Sequence, residues 1–213
     1  MRDSEELVLL RFRYGRAAEI FLAYKTFLFR QVMTGEKNYC QTDQEVKSVT
    51  HILLITFYSF VYSLFDKSGV DFISVTEPYS DVLSDTGKKI RAELIEIWEE
   101  NKTSMATLRH NVGFHGGKKF KNFEAGYSAL SSIHPQTSEL IMIQLAIFFF
   151  ELDELIPNEN KLVKTSNVPE PKKKEFLLKR SENFKKYIKE NPFKENFLDL
   201  SNEEMQALYT DFA

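Results

Sequence analysis

Residues 94–112 read LIEIWEENKTSMATLRHNV. Leu94, Trp98, Asn101, Met105, Leu108 and Val112 step by four, three, four, three and four. At about 100° per residue that spacing lays them along one stripe of an α-helix, whereas a strand would alternate every second residue. Gly116-Gly117 close the pattern, because glycine readily adopts the left-handed conformation in which helices commonly end. A long helix that is apolar along one stripe must bury that stripe against other elements.

The flanking sequence supplies those elements as further helices. Upstream, residues 5–33 form a proline-free run carrying Leu7, Leu10, Phe21, Leu22, Phe27 and Leu28, with Gly35 as a stop signal. Thr42-Asp43-Gln44-Glu45 has the form of a capping box, Thr with Glu three residues on. It opens a helix through Val46, Val49, Leu53, Phe57, Phe60, Val61 and Leu64 that ends near residues 66–69. This helix is apolar around much of its circumference and is expected near the centre of a bundle. Residues 70–79 are expected to be extended or irregular, because Val70, Ile73, Val75 and Pro78 all disfavour helix. Ser84-Asp85 caps the helix that carries the stripe.

Downstream, residues 118–132 read as a connection with a helical turn near 123–130. Pro135 suits the first position of a helix through Leu140, Ile143, Leu145, Phe148 and Leu152, which Pro157 stops. The expected fold is an all-α, up-and-down helical bundle over residues 1–157. A polar linker with Pro169 and Pro171 follows over 158–174, then a charged helix and tail over 175–213, with Phe176, Leu177, Phe184, Tyr187 and Ile188 as its apolar residues.

The composition bounds the function. The 213 residues, 43% of them hydrophobic, suffice for one buried core and a tail. A net charge of -3 gives no chain-wide attraction to nucleic acid, so such a role needs a local basic patch. The single cysteine, Cys40, can form no internal disulfide and reads as a structural thiol. Residues 51–65 and 140–150 are the most apolar stretches. They fall short of the ~18 unbroken apolar residues of a membrane span and are broken by Thr56, Ser59, Ser63 and Gln144. The N-terminal residues are charged and lack the form of a secretion signal. The expectation is a cytoplasmic protein with no membrane partner.

The segment that can carry chemistry is Arg109-His110-Asn111-Val112-Gly113-Phe114-His115. Six residue steps leave Arg109 and His115 about 120° apart on a straight helix. Gly113 weakens the helix between them, and a bent last turn or a dimer axis can bring them to one cleft. The chemistry suits RNA cleavage without a metal. The ribose 2′-OH is the internal nucleophile, and a histidine near neutral pKa can take or give a proton. An arginine can hold the scissile phosphate and offset its developing charge. Asn111 can position phosphate or imidazole, and His110 is a second candidate base. The product would be a 2′,3′-cyclic phosphate, and no cofactor is required. Just beyond, Lys118, Lys119 and Lys121 lie with Phe120 and Phe123, a pattern that can hold RNA phosphates and stack a base or serve as a solvated loop.

This segment resembles the motif of the HEPN superfamily, Arg, four to six residues, then His, with a polar residue after the Arg. Here the order is Arg109, five residues, His115, with His110 in the usual polar place and Asn111 one position later. The resemblance implies a helical bundle, a homodimer whose two motifs form one site, and metal-independent endoribonuclease activity. It also implies a toxin or anti-phage setting, with an antitoxin or another regulatory protein as partner. Members often add an acidic residue from an earlier helix, and Asp66 is the residue that this implies here.

A second reading stays open from the residues alone. Arg109 and His115 are basic groups at the negative end of a helix dipole, where they stabilise the helix without catalysing anything. The chain would then be a non-catalytic helical module for dimerisation, protein interaction or RNA binding. His51 and His134 read as capping, core or turn residues. Four scattered histidines give no metal-ligand spacing, and no phosphate-binding glycine loop or serine nucleophile elbow is present.

Overall fold

The computed structural model describes residues 4–28, 40, 42–67, 69–111, 123–156 and 170–191. Among these there are seven α-helices and no strand. They are α1 (Glu5–Leu28), α2 (Asp43–Phe65), α3 (Phe72–Thr76), α4 (Asp85–Asn111), α5 (Phe123–Ser131), α6 (Thr137–Leu155) and α7 (Glu170–Glu190). A 3-10 turn, Glu77–Tyr79, follows α3.

The ends of these helices are built by the residues that mark them in the sequence. The Thr42 hydroxyl accepts from the Glu45 N–H at 3.2 Å, and the Glu45 carboxylate accepts from the Thr42 N–H at 3.0 Å. That is a reciprocal capping box, which satisfies two otherwise orphaned donors. At α4 the Ser84 hydroxyl accepts from Gly87 N–H at 3.0 Å. Residues 70–79, expected to be irregular, instead hold α3 and the 3-10 turn. The Asp71 carboxylate caps α3 by accepting from Ser74 N–H at 2.9 Å, and Phe72 and Val75 are buried. Packing and a cap outweigh the few tenths of a kcal/mol by which β-branched residues disfavour helix. Pro78 falls within the first turn, where a missing N–H costs nothing.

Residue pairs across the interfaces show that α1, α2, α4 and α6 run alternately up and down. Arg13 of α1 bonds to the Ser63 carbonyl of α2, while the Phe21 ring meets Phe57 at a tilt. Phe65 stacks on Trp98 of α4, while Arg109 reaches back to Ser59. Gln144 of α6 donates to Glu93 of α4 at 2.8 Å, and Ser84 at the start of α4 bonds to Glu151 near the end of α6. The stripe on α4 does what its spacing implies: Leu94, Met105 and Leu108 are at most 1% exposed. Each such burial contributes about 1.5–3 kcal/mol relative to exposure.

The most completely encased helix is α6, with Thr137 through Leu145 all buried. The helix expected at the centre, α2, is packed between α1 and α4 and leaves Ile52 61% exposed. Gln44–Phe65 is long and apolar enough, by length and composition, to cross a membrane, and half of its most apolar window is buried inside the bundle. Its length exceeds the expectation from residues 51–65 alone, because the helix continues through the polar turn that precedes them.

Two boundaries also shift. Pro135 precedes α6 in a turn, with Gln136 as the N-cap residue. The His134 ring makes that turn: Nδ1 accepts from Gln136 N–H at 3.1 Å and Nε2 faces the Asn191 carbonyl at 3.0 Å. Helix α7 starts at Glu170, so residues 170–174 belong to it rather than to a linker. It packs on α6, burying Phe184 to 1% exposure. Glu139 of α6 clamps both neighbours, accepting from Lys25 of α1 at 2.8 Å and from Arg180 of α7.

Candidate functional site

The last turn of α4 carries Arg109, His110 and Asn111. It lies against the last turns of α2, which carry Ser59, Tyr62 and, at the cap, Asp66. The two helices run antiparallel but are offset along their axes, Phe65 meeting Trp98 and Ser59 meeting Arg109, and this stagger brings the last turn of α4 to Ser59 and Tyr62. Leu108, fully buried one position before Arg109, anchors the turn in the core and fixes the direction in which Arg109 leaves the helix.

Tyr62 is the centre of the arrangement. The Arg109 guanidinium sits 5.3 Å from its ring centroid, and Arg109 Nη1 donates to the Ser59 carbonyl at 3.1 Å. A cation over an aromatic face gains about 0.5–2 kcal/mol, depending on how far it is desolvated. The His110 ring meets Tyr62 edge-on at 5.8 Å, and Trp98 does so from another side at 5.4 Å. Asp66 follows one helical turn along α2, close enough for its charge to act on the Tyr62 phenol. Burial, then the Asp66 charge, raise the phenol above its ordinary value, while Arg109 pulls it down. The phenol therefore stays protonated.

Four of the five candidate catalytic residues from the sequence fall within the described residues. Arg109 and Asp66 are brought to one side chain, Tyr62, and His110 to its edge. Asn111 closes α4 beside them, half-buried. His115 lies outside the described residues, as do Lys118, Lys119 and Lys121. Arg109 is half-buried and His110 exposed, so the cluster opens to solvent. An open groove of about 350 Å³ runs alongside, lined by Tyr62, Trp98, Lys102, Thr103, Ala106, Thr107 and His110. Trp98, Lys102, Ala106 and His110 step by four along α4, so one face of that helix makes the floor. Among the described residues, no three His, Cys, Asp or Glu side chains gather in a way that could hold a metal ion.

Sequence reasoning did not single out Tyr62. The signal was its spacing of four from Asp66, which puts both on one face of α2. Seeing its role required knowing that the α2 and α4 ends meet. Elsewhere, Cys40 is buried at 5% exposure, in line with a structural thiol. His51 and His134 have imidazole pKa values lowered chiefly by burial. No protein family, curated protein or solved structure matches this chain.

Proposed function

We propose that the protein is a metal-independent endoribonuclease of HEPN type that acts as a homodimer. The observation that supports this reading is that Arg109 and His110, the first residues of the Arg-x5-His segment, meet Tyr62 at the last turn of α4 in a cluster that opens to solvent. In the resemblance an acidic residue from an earlier helix often supports the site, and Asp66, at the end of α2, is the candidate here. Arg109 holds the scissile phosphate and offsets its growing charge. His115 takes the proton of the ribose 2′-OH as the oxygen attacks phosphorus, or returns a proton to the departing 5′-oxygen. The P–O5′ bond breaks, leaving a 2′,3′-cyclic phosphate on one fragment and a 5′-OH on the other. Asn111 and His110 orient the phosphate, and Lys118, Lys119 and Lys121 hold the flanking RNA backbone. The reading includes a cytoplasmic location, a toxin or anti-phage role, and control by an antitoxin or another regulatory protein.

One observation favours a second reading. The Arg109 bond to the Ser59 carbonyl and its stack on Tyr62 are contacts that a purely structural arginine at a helix end also makes. On that reading the chain is a non-catalytic dimerisation, protein-interaction or RNA-binding module. Arg109→Ala and His115→Ala separate the two. The enzyme reading expects each to abolish RNA cleavage while circular dichroism and the melting curve show a folded protein. Cleavage at the unaltered rate in the double variant would sink it.

A further inference from the structure

The groove beside Arg109 has an aromatic wall. Its Trp98 indole is held from behind, stacked on Phe65 at 5.3 Å, and keeps 7% exposure. The Tyr62 ring meets that indole at 5.4 Å and the exposed His110 imidazole at 5.8 Å. Indole, phenol and imidazole therefore form one continuous row of rings. Ala106, midway between Lys102 and His110 on the same face of α4, is the small side chain that leaves the depression. Thr103 and Thr107 add hydroxyls to its lining. The Thr107 hydroxyl donates to the Thr103 carbonyl at 2.9 Å, so its oxygen can still accept. A volume of about 350 Å³ lies at the small end of ligand sites. Rings along one wall and hydroxyls on the floor suit a small planar ring system with a polar edge.

We propose that this groove seats an unpaired nucleobase of the RNA, the one belonging to the nucleotide beside the phosphate held by Arg109. The proposal rests on the RNA-cleaving reading for that phosphate. Charge does not choose the ligand: Lys102 pairs with the exposed Glu99, and Asp66 acts on Tyr62 as Arg109 does. Rings and position choose it. Arg109 and His110 are neighbours in the chain and both meet Tyr62, one at its face and one at its edge. A base is joined to its phosphate through a single sugar, so a phosphate at Arg109 brings a base to the ring row. Aromatic side chains stack bases of any sequence, because every base has a π-face. A base in a duplex is already paired and stacked, and cannot enter. The substrate class is therefore single-stranded RNA, cut at unpaired nucleotides.

The full chain carries its own reporter, since Trp98 is its one tryptophan. The probe is a mixed-sequence single-stranded RNA with every 2′-OH methylated, which cannot be cut. It is compared with an abasic strand of equal length and with the same RNA annealed to its complement. The single strand is expected to change Trp98 emission saturably and to bind at least about tenfold more tightly than either comparator. Ala106→Leu fills the depression at a half-buried position, with a residue close to Ala in helix preference. It is expected to bring the single strand down to the abasic level. Equal binding of single and abasic strands overturns the proposal, as does full-strength binding by folded Ala106→Leu. The abasic comparison needs no variant and decides the matter if Ala106→Leu does not fold. An emission change that follows protein concentration without RNA assigns the groove to a second copy and also overturns it. Cleavage is scored separately. A protein that cuts RNA with no Trp98 response keeps the enzyme reading and loses the base site. One whose Trp98 responds to RNA without cutting keeps the base site and loses the enzyme reading.

Discussion

Arg109 is a side chain that packs and still has hydrogen-bond donors to spare. Its guanidinium is held by the Ser59 carbonyl and the Tyr62 face, yet its planar fork has further N–H groups to offer a phosphate. Tyr62→Leu removes the aromatic face beneath Arg109 and is expected to lower stability by about 0.5–2 kcal/mol in denaturant unfolding. On the enzyme reading it also slows RNA cleavage on the order of tenfold to a hundredfold, because the arginine is less well held. A Tyr62→Leu protein with unchanged cleavage would take Tyr62 out of the site. His134 gives a second expectation at this scale. Burial, partly offset by the Asn191 carbonyl, depresses its folded pKa below the ordinary 6.5. Below 6.5 the unfolded chain therefore binds the proton more readily, and stability falls as pH drops towards the folded value. His51 is shifted the same way. Melting temperature should decline through this window, and His134→Gln should flatten part of the decline.

Among the elements, α2 and α4 carry the site, and both were legible because each declares its ends and its face. Thr42 and Glu45 build the cap that their spacing implies, so Thr42→Ala should cost about 0.5–2 kcal/mol in unfolding experiments. The four-three stripe from Leu94 to Leu108 predicts burial on α4, and Leu94, Met105 and Leu108 are buried. Residues 70–79 were misread because residue preference speaks only for the local chain, while burial of Phe72 and the Asp71 cap decide α3. The start of α7 was misread because Pro171 looks like a break, although a proline in a first turn is compatible with helix. Tyr62 was missed for a different reason. Its role comes from a contact between helices more than 40 residues apart in sequence, and spacing within one helix carries no sign of that.

At the level of the whole molecule, helix direction and stagger arrange the candidate site. α2 and α4 run antiparallel but offset along their axes, Phe65 meeting Trp98 and Ser59 meeting Arg109, so the last turn of α4 reaches Ser59 and Tyr62. A net charge of -3 gives no general attraction for RNA, so binding on the enzyme reading is local, through Arg109 and the lysines that follow His115. That makes cleavage salt-sensitive and dependent on very few residues. The most direct measurement is incubation of a mixed RNA pool with the purified protein in excess EDTA, beside His115→Ala, followed by analysis of the fragment ends. Metal-free endoribonuclease chemistry predicts EDTA-resistant cutting that leaves 2′,3′-cyclic phosphates and is lost in the variant. Cutting that stops on chelation, or continues undiminished in His115→Ala, would contradict it.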